Sequence, residues 1–173
     1  MSKYQEMREV ADTARKGWIQ YRDHCWGYMS LLVNGFMAYC EIPPDMNHIT
    51  FLKWNEDRGE EGKYKQAEEG MNYTLLGATV FDSEDDYWHL GVCITLTPPN
   101  VLPPQWVSFA LCVTERDGKP MVKIGVPGKP RQIDFTDSEQ CNAFYESIVE
   151  NIKESFRDSK KSSSKKIGFV VSP

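Results

Sequence analysis

YWHLGVCITL (residues 87–96) and WVSFALCVT (residues 106–114) are the two segments whose reading decides the fold. Successive side chains in a strand point to opposite faces. In the first segment Trp88, Leu90, Val92, Ile94 and Leu96 share one face, and His89, Gly91, Cys93 and Thr95 share the other. In the second, Val107, Phe109, Leu111 and Val113 face one way, and Ser108, Ala110, Cys112 and Thr114 the other. Paired, they predict a sheet with one bulky apolar face and one face of small, weakly polar groups. A helix lying close is the simplest cover for the second face. Solvent, a ligand or a partner are the alternatives.

Working outward, Arg116-Asp117-Gly118-Lys119 carries an Asp-Gly turn between apolar runs, a strong hairpin signal that returns the chain along residues 121–124. A further short strand is expected at 131–135. On the other side, residues 73–81 read as a strand entering the acidic turn 82–86, and HITFLKW (48–54) as another. Residues 55–70 are polar and interrupted by glycine, a loop or short exposed helix.

Helices flank this β region. Tyr4, Met7, Ala11, Ala14, Trp18, Tyr21, Cys25, Tyr28 and Leu32 recur at steps of three and four, one side of a long helix. Ser2 and Gln5 form a capping-box pattern at its start, Gly27 is a point of kinking or division, and the end is expected near Asn34-Gly35. The mixed aromatic and alanine stripe favours packing across a sheet over a two-stranded coil, with self-association through this helix as the lesser alternative. Thr136 or Asp137 caps a final helix whose stripe is Cys141, Phe144, Ile148, Ile152 and Phe156. The expected architecture is α+β: a meander of four to six antiparallel strands packed by a long N-terminal and a C-terminal helix. It occupies residues 1–158, and 159–173 form a basic Ser/Lys linker with a strand-like tail.

The 173 residues carry a formal charge of −5 and are 40% hydrophobic, enough for a folded core and contrary to a general nucleic-acid binder. Residues 151–166 hold six basic and two acidic side chains, a local +4, so the remainder carries −9. The five cysteines include no CxxC, the start MSKYQEMREV has no apolar signal segment, and no run reaches membrane-span length. A reducing, cytoplasmic setting with free thiols is expected, away from membranes.

No motif fixes a chemistry. Asp82, Glu84 and Asp86 imitate the first half of a calcium loop, but Tyr87 and Cys93 stand where its glycine and glutamate belong. Gly125 to Pro130 is not a phosphate cradle, because its prolines remove amide donors. No catalytic residue, metal or cofactor is therefore assigned. Two surfaces suit another protein as partner, with a homodimer as a variant of the same idea. One is the loop with Pro98, Pro99, Leu102, Pro103 and Pro104 leading into Trp106; the other is the final strand with Phe169 and Val170. The leading expectation is a non-catalytic interaction module of adaptor, small-chaperone or inhibitor type. The alternative is a small-molecule-binding domain or enzyme, with a pocket between the small-residue face and a helix, lined by His89, Cys93 and Cys112. His89 and Cys93 lie about 13 Å apart along one strand, so only Cys112 can meet either across the ladder.

Overall fold

The computed structural model describes residues 2–43, 48–54, 64–68, 71–97, 105–125, 128–158 and 169–171. The central pair is β4 (Tyr87–Thr95) and β5 (Trp106–Arg116), antiparallel from Trp88 opposite Val113 to Thr95 opposite Trp106. β6 (Lys119–Ile124) follows β5 through a two-residue turn. Asp117 and Gly118 there have φ of 52° and 69°. Two positive φ values make the primed turn whose twist matches the flanking strands, and Gly118 adopts its value at no steric cost. The expected Asp-Gly hairpin is present.

Both outer edges of this pair are shared. β1 (Ile49–Trp54) lies along residues 91–94 of β4, and β3 (Val80–Asp82) along 87–89. On the far side, β6 takes one end of β5 and β8 (Phe169–Val171) the other. β2 (Tyr64–Lys65) pairs with the end of β1, and β7 (Arg131–Gln132) with β6. The sheet is antiparallel throughout, and two helices pack on it, as expected. The strand-like tail returns to the chain's own sheet.

Three elements depart from the sequence reading. The run 73–81 is divided: Thr74 Oγ1 accepts from the Gly77 amide, a cap that starts the short helix α2 (Leu75–Ala78) before β3 begins. The Thr cap and the helix-forming Leu and Ala prevail over the strand pattern. The strand expected at 131–135 stops at Gln132, and Ile133 turns into the core. The first helix, α1 (Lys3–Tyr39), passes through Gly27 without a break and continues beyond Asn34-Gly35. Gly35 is a packing position, since a Cβ there would run into the Tyr145 hydroxyl oxygen.

Tyr145 belongs to α3 (Ser138–Asp158), whose first amides are capped by Asp137, which accepts from Glu139 and Gln140. Met29, Leu32, Val33 and Phe36 of α1 and Phe144 and Ile148 of α3 join Leu90, Val92, Val107, Phe109, Leu111 and Val113 in the main core. Both long helices therefore cover the bulky face. Its apolar side chains offer the larger area to remove from water, at roughly 25 cal/mol per Å². The cover on the small-residue face is different. β1 leaves β4 after Leu52, and Trp54 and Tyr64 bring their rings over His89 and Gly91. A Cβ on Gly91 would lie 2.8 Å from the Tyr64 ring. No helix of the described residues is long and apolar enough to cross a membrane.

Candidate functional site

His89 and Cys112 are cross-strand partners on the small-residue face, both fully buried. Cys112 Sγ lies 3.3 Å from His89 Nδ1, and His89 Nε2 lies 3.0 Å from Asp85 Oδ1. Lys123 Nζ, from β6, donates to Asp85 Oδ2 at 2.7 Å and sits 4.0 Å from the centre of the Tyr87 ring. Trp54 stacks on the imidazole at 4.4 Å, and Tyr64 OH reaches Nδ1 at 3.4 Å. Thiol, imidazole and carboxylate thus stand in the order nucleophile, base and orienting group.

Their protonation states follow from the surroundings. Burial raises the Asp85 carboxyl, but hydrogen bonds from Lys123 and His89 outweigh it and leave the group below its ordinary value. Burial lowers His89 despite the Asp85 bond, so the ring is neutral at neutral pH. An ionised carboxylate only accepts, so Nε2 carries the proton and Nδ1 offers a lone pair to the Cys112 S–H and the Tyr64 O–H. Burial pushes the Cys112 thiol up to about 12. The thiolate is the reactive form of cysteine, so here the constellation is a closed, internally neutralised hydrogen-bond network. Asp82, Asp85 and His89 also bring three potential ligand atoms within 4.8 Å of one another. The Lys123 ammonium already supplies the positive charge at Asp85, so we assign no metal to them.

The candidates fare unevenly. His89 and Cys112 are brought together, while Cys93 lies further along the strand, between Thr50 and Ser108. Both long helices take the bulky face, and the β1–β2 rings, not a helix, cover the face that carries His89, Cys93 and Cys112. Pro98, Pro99, Leu102, Pro103 and Pro104 lie outside the described residues. Trp106 is half-buried opposite Thr95, and the backbones of Phe169 and Val170 pair with Phe109 and Ser108. Asp85 and Lys123 escaped the sequence reading. The signal was Lys123 itself, a lysine on the inward face of an apolar strand, which requires a carboxylate partner.

A second feature lies at the other end of the molecule. Cys25 is the first fully buried residue of α1; before it, Tyr4, Met7 and Val10 are 65%, 64% and 71% exposed. Trp18 marks the boundary, edge-on to Phe81 at 4.9 Å and tilted against Trp88. Residues 3–16 extend about 21 Å at 1.5 Å per residue. Ser2 and Gln5 complete the capping box, and ion pairs Lys3–Glu6 and Lys16–Asp12 support the exposed turns. The stripe Tyr4, Met7, Ala11 and Ala14 continues the core-facing side of the helix but meets no core among the described residues.

The chain matches no family model, and comparison with curated proteins and with solved structures finds no match.

Proposed function

We propose that this chain is a non-catalytic protein–protein interaction module, of adaptor, small-chaperone or inhibitor kind, and that the first half of α1 is its docking face. The observation that carries this reading is the apolar stripe Tyr4, Met7, Ala11 and Ala14, solvent-exposed on a capped helix whose later turns are core. Exposed apolar area grouped on one element is the usual mark of an interaction surface. An amphipathic helix laid into a groove is a recurrent mode of recognition. The buried, fully protonated Cys112 supports a structural role for its contact with His89. A Tyr4→Ser, Met7→Ser double variant tests the reading. It keeps the thermal midpoint, because exposed substitutions shift stability by about 0.5 kcal/mol or less. It loses proteins that the wild-type chain captures from its source cells. Identical captured sets from both chains defeat the proposal.

A further inference from the structure

We infer that the occupant of the exposed α1 face is an amphipathic helix of a different protein, flanked by acidic side chains, rather than a second copy of this chain. The inference rests on the docking reading above and adds the chemistry of the partner. Shape is the first argument. Along the stripe, large residues stand at the ends (Tyr4 and Met7, then Trp18) and small ones, Ala11 and Ala14, in the middle. Small residues let a second helix approach to the near end of the usual 8–10 Å interaxial distance. They also leave a hollow that a partner's leucine-sized side chains fill. Two parallel copies of this stripe in register put alanine against alanine and large against large. The hollow stays unfilled.

Charge is the second, independent argument. At 3.6 residues per turn, Arg8 and Arg15 lie about 60–80° from the centre of the stripe, whereas Glu6, Glu9 and Asp12 lie about 120° or more away. Both arginines are exposed, and neither has an ion-pair partner among the described residues, while Lys3 and Lys16 are held by Glu6 and Asp12. The opposite flank carries Val10 and Gly17 beside Lys3. An antiparallel second copy sets arginine against arginine, and a parallel one sets Arg8 against Lys3, with no attractive flanking pair in either register. Flanking charges choose coiled-coil partners in this way, through repulsion as much as attraction. A partner with carboxylates seven residues apart meets both arginines.

Two labelled amphipathic peptides of about 21 residues, long enough to hold a helix, serve as probes, with leucine at the stripe positions and either glutamate or lysine on the flanks. Fluorescence anisotropy is expected to show the glutamate peptide binding at least about tenfold more tightly, like charges across an interface being costly. The preference collapses near 1 M salt, where the screening length is about 3 Å. It disappears in Arg8→Gln, Arg15→Gln and inverts in Arg8→Glu, Arg15→Glu, with helix content unchanged by circular dichroism. Equal binding of both peptides overturns the acidic partner and leaves the docking face standing. Binding of neither overturns the docking face itself. An α1-dependent dimer in sedimentation, or adsorption to phosphatidylserine vesicles without peptide binding, also overturns the inference.

Discussion

His89 is squeezed between two influences of opposite sign, burial that disfavours its charge and Asp85 that favours it, and burial prevails. Between its lowered folded value and the ordinary 6.5, the unfolded chain takes up a proton that the folded chain refuses. Its contribution to stability is therefore full above pH 6.5 and is lost as pH falls through that window, at no more than about 1.4 kcal/mol for each pH step of one. Asp85, lowered from 3.8, adds a second loss below that pH. Urea midpoints at about pH 7.5 and about pH 5.5 should fall more steeply for the wild type than for His89→Gln, which cannot titrate. Parallel falls would show that His89 bears no such penalty. That His89 and Cys112 share a face was legible from alternation alone, but the register that sets Cys112 opposite His89 rather than Cys93 was not. Asp85 was hidden inside a turn whose five residues all suit solvent, and only its distant partner Lys123 betrays that it points inward.

At the scale of elements, the crossing of α1 and α3 rests on one missing methyl group. Alanine is about 1 kcal/mol better than glycine inside a helix, so Gly35→Ala would stabilise an isolated α1. In the folded chain its Cβ meets the Tyr145 hydroxyl, on a ring held 5% exposed between Phe36, Tyr39 and Phe144. Overpacking of this kind costs roughly 1–3 kcal/mol, so the net effect is a lower thermal midpoint. Tyr145→Phe in the same background should recover part of it. A midpoint that rises in Gly35→Ala alone would refute the close crossing. Sequence alone made this glycine a helix end, because Asn-Gly is a common stop and the tyrosine that explains it is distant in the chain. The strands of the central pair, by contrast, announce themselves by strict alternation over their whole length. α2 does not, since four residues and a Thr cap are too short to show a period.

Across the whole molecule, the sheet faces divide the labour. The bulky face collects both helices into one core, the small-residue face closes over a neutralised polar network, and α1 extends past the aromatic cluster of Trp18, Phe81 and Trp88 with its stripe exposed and uncovered by any described residue. The stripe could be read from sequence for its full length. What spacing cannot reveal is where the core stops, because the same period continues on both sides of Trp18. Tertiary packing supplies most of the stability of helices in proteins, and about 14 unpacked residues are marginal alone. Hydrogen exchange along α1 in the free protein is therefore the most direct test of an uncovered docking face. The account predicts fast exchange at the Met7–Lys16 amides and protection approaching the global stability at Met29–Phe36, with the first group slowed when the glutamate-flanked peptide is added. Equal protection in both halves of the free protein would contradict it, because the first half of α1 would then already be packed.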